Sequence, residues 1–283
     1  LEGMGAEVVP YLIKLVRGRG FAEAKDFPTM EDRRVAIWIL GEMGSTRAVK
    51  PLIRGGLGDP DEDIRLSAAW ALKEIGEPDA LPALVRLRDN DPSSRVRASL
   101  PYLLYRFPGE QGFEAAVSGL YSHDRTVRRR TATVVIKGAG EEPPERLLER
   151  LRQLSRQRSA TSTRPVARVI ALIGDGRFER FLEEQAASND PEVRRWVAYA
   201  LHRITYDGSI DRLRDLLEDG DAAVARQAAE SLVTRAEAQP ELEGRVVRML
   251  FERLLARNPE TQEIILEALE RLLGDAVVER VGG

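Results

Sequence analysis

Residues 61–87 read DEDIRLSAAWALKEIGEPDALPALVRL, and this stretch decides the fold. Ile64, Ala68, Ala71, Leu72 and Ile75 recur at the helical period and make one apolar stripe. Asp61 stands three residues before Ile64, where its carboxylate can accept the free amide hydrogens of a first helical turn. Gly76 follows the stripe at the position where a helix can end in the left-handed conformation. A second, shorter amphipathic segment, EPDALPALVRLRD, comes next. The spacing therefore predicts a helical hairpin with one apolar face.

The same pattern recurs along the chain. Shifted back by 32 residues, Arg33, Trp38 and Gly44 fall on Arg65, Trp70 and Gly76; shifted forward by 32, Val96, Arg97 and Tyr102 fall into place. Further copies start at Val127-Arg128, Ser162-Thr163, Val193-Arg194, Val224-Ala225 and Gln262-Glu263. Residues able to cap a helix precede seven of the copies: Thr29, Asp61, Ser93, Asp124, Ser159, Asp190 and Asp221. A hairpin with one apolar face cannot bury it alone, so neighbours must stack. The expected architecture is all-α, a right-handed α-solenoid of stacked antiparallel helix pairs with about seven repeats. Residues 1–17 read as an N-terminal half-repeat, 18–28 as an inserted loop and 29–283 as the repeats, all in a single domain, 1–283. Leu1 at the start and the half-repeat behind it lead to the expectation of a longer parent chain.

The pattern aliphatic-Arg-x-x-Ala-x-x-Ala-Leu-x-x-Ile-Gly, followed by PDALPAL, resembles the short HEAT-like repeats of the phycobilisome-lyase type. It is clearest in residues 32–57 and 61–87. The Trp-x-x-Leu-Gly-x-x-Tyr order of tetratricopeptide repeats and the Thr-Pro-Leu-His of ankyrin repeats do not occur. The resemblance implies a helical solenoid that serves as a binding scaffold, with second helices lining the concave surface. The family's name also implies a bilin lyase-type subunit, but no residue here can be assigned to chromophore handling.

Composition excludes much chemistry. The 283 residues include no cysteine and two histidines, so there is no disulfide framework, thiol nucleophile or thiolate metal site. His123 and His202 lie in different repeats, and no Gly-x-Ser-x-Gly elbow occurs. KGAGEEPP (137–144) has two glycines, but its glutamates would repel a phosphate. Acidic pairs such as Asp61/Asp63 and Glu141/Glu142 fall at helix starts and turns, where the helix dipole favours negative charge. No catalytic, cofactor or metal residues are assigned, and the chain reads as no enzyme. No run is apolar enough to span a bilayer, so a soluble chain is expected, with a cytoplasmic location favoured and secretion left open.

Charge gives the functional clue. Arg33, Arg65, Arg97, Arg128 and Arg194 recur at one repeat position and predict a ladder of Arg–Asp contacts between repeats rather than a binding site. The overall net charge of −3 hides a +8 over residues 125–168 and a −7 over 205–283. Such asymmetry steers oppositely charged partners. In PPERLLERLRQLSRQRS, Leu147, Leu148, Leu151 and Leu154 form the expected buried stripe, with Arg146, Arg150, Gln153 and Gln157 along one flank. The basic loop RQRSATSTRP (156–165) follows. Arg146, Arg150, Gln153, Gln157, Arg158 and Arg164 are the candidate partner-binding residues. Trp38, Trp70 and Tyr102 hold equivalent places in successive repeats, either as inter-repeat packing or as an exposed aromatic ridge. The reading is a non-enzymatic protein-interaction scaffold for a partner with an acidic segment. Nucleic acid bound by the 125–168 region is the second reading, opposed by the acidic flanks and a pI of about 5.7. The oligomeric state stays open.

Overall fold

The computed structural model describes residues 5–17, 28–139, 145–156, 160–206, 208–254 and 259–274. Among the described residues it is all-helical, an α-solenoid of helix pairs. The helices are α1 (Gly5–Arg17), α2 (Met30–Glu42), α3 (Val49–Pro51, running into a π turn over Leu52–Gly56), α4 (Glu62–Ile75), α5 (Leu81–Asn90), α6 (Ser94–Tyr105), α7 (Glu110–Val117) and α8 (Arg125–Ala139). There follow α9 (Glu145–Ser155), α10 (Ala160–Ile173), α11 (Glu179–Gln185), α12 (Pro191–Ala200), α13 (Ser209–Leu216), α14 (Ala222–Ala238), α15 (Pro240–Leu254) and α16 (Pro259–Leu273). The even-numbered helices up to α14 are the first helices of their repeats, α16 begins a further one, and the odd-numbered helices from α3 on are the second helices. The chain groups into two compact units, Leu1–Gly138 and Ala139–Gly283.

Local chemistry sets the helix boundaries. The side chains of Thr29, Asp61, Ser93, Asp190 and Asp221 cap their helices, and Asp124 accepts the amides of Thr126 and Val127 in the same way. Each cap satisfies a donor that would otherwise face the inter-repeat loop unpaired, a contribution of about 1 kcal/mol. Gly76 ends α4 at φ 73°, where a side chain would be strained, and its amide bonds back to the Leu72 carbonyl. Ser159 and the expected insertion, apart from its last residue Pro28, lie outside the described residues.

Packing follows the stripe. Ile64, Ala68, Ala71 and Leu72 are fully buried, and Ile75 lies half-buried against them. Within the first unit α2 packs on α4 and α4 on α6, while α1 covers α2; within the second, α10, α12, α14 and α16 pack in series. Small residues set the approach: a Cβ on Gly41 would lie 2.9 Å from the Cα of Ala71, so α2 and α4 meet nearly backbone to backbone.

Two expectations are corrected. Arg164, not Thr163, holds the repeat's arginine position, because its guanidinium is the one that meets the next loop's aspartate, Asp190. The basic loop after α9 is also shorter than expected, since α10 begins at Ala160. Pro165 lies within that helix, removing one hydrogen bond near its start rather than ending it.

Candidate interaction surfaces

The recurrent arginines make a ladder. Arg65 donates from Nε and Nη2 to both carboxylate oxygens of Asp91, at 2.7 and 2.8 Å, while its Nη1 reaches the carbonyls of Asp59 and Pro60. Arg33 pairs with Asp59, Arg97 with Asp124, Arg164 with Asp190 and Arg194 with Asp219. The partner follows a rule the sequence did not suggest. Where the residue two before the helix cap is aspartate (Asp59, Asp91, Asp219), it accepts the cap's amide and also takes the arginine. Where that residue is serine (Ser122, Ser188), the serine accepts the amide and the cap aspartate itself takes the arginine. Either way each guanidinium ties a first helix to the loop that starts the next repeat.

These pairs shift their carboxyls. Burial pushes Asp219 and Asp124 up, but Arg194 and Arg97 together with backbone amides outweigh it, and both end below the usual carboxylate range. Arg128 holds the same repeat position and bonds to the carbonyls of Ser122 and His123. The sequence 25–27 residues on from it reads Gln153-Leu154-Ser155, without the aspartate that the other rungs use.

On α9 the four leucines are buried as the spacing requires, so Arg146 and Gln153 face outward and Arg150 is half-exposed. Arg150 donates to the Gln153 side-chain oxygen at 3.0 Å, which lays the guanidinium along the flank. Gln157 and Arg158 lie outside the described residues. Arg164, a candidate from the basic stretch after α9, is exposed and pairs with Asp190 as a rung of the ladder.

The aromatic residues stand on the first helices of the first unit. Trp38 and Tyr102 are 54% exposed and Trp70 is half-buried, so the three form a partly open ridge rather than core. Cations hold two of the rings: Lys73 Nζ is 5.5 Å from the Trp70 ring and the Arg106 guanidinium 5.9 Å from that of Tyr102. The neighbouring Arg106 keeps the Tyr102 phenol below its ordinary pKa. Beside the ridge runs a groove of about 660 Å³, walled by Leu66, Trp70, Tyr102, Arg95, Arg130 and Lys137 among others. The groove is not readable from the sequence, because Arg130 and Lys137 belong to another repeat and reach the aromatics only through stacking.

Ion pairing differs along the chain. Arg212, Arg214, Arg226, Arg245, Arg253 and Arg271 each sit in an ion pair. Arg125, Arg129, Arg130 and Lys137 on α8 are exposed, and among the described residues they make none. His202 is half-buried with its ring edge-on to Tyr199 and its pKa lowered by burial; His123 is exposed in a loop. Among the described residues no cluster of three His, Asp or Glu could hold a metal ion, and no helix is long and apolar enough to cross a membrane.

The family model of HEAT repeats matches residues 22–104 and 144–233, more than half of the chain. The chain belongs to the HEAT-repeat family. Proteins of this family generally act as protein-interaction scaffolds. No curated protein matches the chain. Among solved structures, an engineered protein is similar over 95% of this chain and 79% of its own at 20% identity, with a TM-score of 0.40. Human deoxyhypusine hydroxylase in complex with glycerol is similar over 94% of this chain and 96% of its own at 17% identity and TM-score 0.37. A chain from the complex of Kap95p with RanGDP is similar over 98% of this chain and 47% of its own at 12% identity and TM-score 0.45.

Proposed function

We propose that the chain is a non-enzymatic scaffold whose partner is a protein segment rich in carboxylates, received on the flank Arg146, Arg150 and Gln153 of α9. Gln157 and Arg158 continue that flank in sequence. One observation carries the reading: residues 125–168 hold a net charge of +8 in a chain of net −3, and the exposed cations of α8 make no ion pair among the described residues. A solvated scaffold can carry such an excess, but its concentration in one stretch creates a local field that attracts an acidic chain. A nucleic acid would find the same field. The acidic stretch at 205–283 opposes a long polyanion more than a short acidic peptide.

The test is an affinity capture from native lysate with and without nuclease, read by mass spectrometry, alongside the Arg146→Glu/Arg150→Glu variant. The expected result is a protein that survives nuclease and is lost with the variant. Partners that disappear on nuclease treatment would transfer the basic stretch to nucleic-acid binding. A capture unchanged by the variant would remove the α9 flank from the site.

A further inference from the structure

The groove lined by α4, α6 and α8 of the first unit has a chemistry of its own. Its apolar wall is Leu66, Trp70 and Tyr102, and its far wall on α8 carries Arg130 and Lys137. A volume of about 660 Å³ lies within the range of ~300–1,000 Å³ usual for ligand sites. Charge along the face changes sign with the repeat. One helical turn beyond each aromatic position stand Glu42, Glu74, Arg106 and Lys137 in successive repeats. One turn before it stand Val35, Ser67, Ser99 and Arg130. The carboxylates nearest the groove are already engaged: Glu62 and Asp63 accept from Arg95, and Glu74 from Lys73. Arg130 and Lys137 make no ion pair among the described residues, and no carboxylate lines the groove with them.

We propose that this groove is a second docking site, for a protein segment that seats an aromatic or aliphatic side chain between Trp70 and Tyr102 and sets carboxylates on Arg130 and Lys137. The proposal rests on the scaffold reading but not on α9. The aromatic walls reward burial of one apolar side chain, and the two cations of α8 select its acidic neighbours. A basic ligand would meet the three cations that line the groove, Arg95, Arg130 and Lys137. A continuous phosphate backbone would run from these onto Glu62, Asp63 and Glu74, whereas a peptide needs carboxylates at one end only. Charge complementarity thus favours an acidic, apolar peptide.

The experiment is selection of a random displayed peptide library on the full chain. Enriched peptides are then titrated against the wild type and three variants, Trp70→Ala/Tyr102→Ala, Arg130→Glu/Lys137→Glu and Arg146→Glu/Arg150→Glu, with thermal melts to check that each variant folds. The expected result is enriched peptides that pair an aromatic or aliphatic residue with Asp or Glu. Their affinity should fall roughly tenfold in each groove variant and hold in the α9 variant. Their binding should also shift the tryptophan emission of the wild type and lose that shift in Trp70→Phe. Peptides that respond to the α9 variant alone would overturn the groove and leave the scaffold reading standing. Enrichment of lysine-rich peptides, or of none at all, would overturn the groove proposal, and the latter would count against the scaffold reading as well.

Discussion

Arg65 and Asp91 show what a ladder rung is worth. Their side chains are 8% and 1% exposed, and Asp91 also accepts the Ser93 amide, so removing the arginine leaves a buried carboxylate without its counter-charge. Arg65→Met should therefore destabilise the chain by about 3 kcal/mol in urea unfolding, as for other broken buried pairs. Arg180→Ala, which removes an exposed pair with Glu184, should cost well under ~1 kcal/mol. The rungs also carry a pH dependence of definite sign. Asp219 has a folded pKa below its unfolded value, so its contribution is complete above the unfolded pKa of about 3.9 and is lost as pH falls through the lower folded value. Acid unfolding of the wild type should begin below about pH 4, and Arg194→Met should move the circular-dichroism midpoint to higher pH.

At the scale of elements, glycine decides how closely helices approach. Gly41 faces Ala71 across α2 and α4, and Gly56 faces Ala68, where an added Cβ would also collide. Gly41→Val should cost about 1–3 kcal/mol through overpacking, measured as a fall in the thermal midpoint. Gly220 has open space around it, and Gly220→Ala should change stability little. Capping at the same scale was legible in sequence. Thr29, Asp61, Ser93, Asp124, Asp190 and Asp221 could be named because a cap acts within three residues of itself. The start of α10 was legible only in part: naming Ser159 as a cap puts the helix start at Ala160, but Pro165 and its polar neighbours carry the signature of a loop. Only the register of Arg164 with Asp190 places them in a helix.

At the scale of the whole molecule the question is where its charge goes. Many arginines outside residues 125–168 are paired within the protein, whereas the surfaces of α8 around Arg125, Arg129, Arg130 and Lys137 are exposed and make no ion pair among the described residues. A complex on these surfaces should weaken several-fold between about 0.1 and 1 M salt, as the screening length contracts from ~10 to ~3 Å. Titration calorimetry across that range would check it. A salt-independent affinity would point to apolar burial alone.

The repeat period, the helical hairpin, the caps and the buried leucines of α9 were all fixed by the order of residues. Each rests on interactions within a turn or two of chain, and such interactions are written in the local pattern. Pairing across repeats was decided only by the tertiary structure. Whether Asp91 or Ser93 meets Arg65, whether Trp70 packs inward or rims a groove, and whether Arg130 stands beside Tyr102 all depend on how neighbouring hairpins stack. That stacking is set by summed side-chain volumes and by glycines such as Gly41, whose effect lies in what faces them from another repeat.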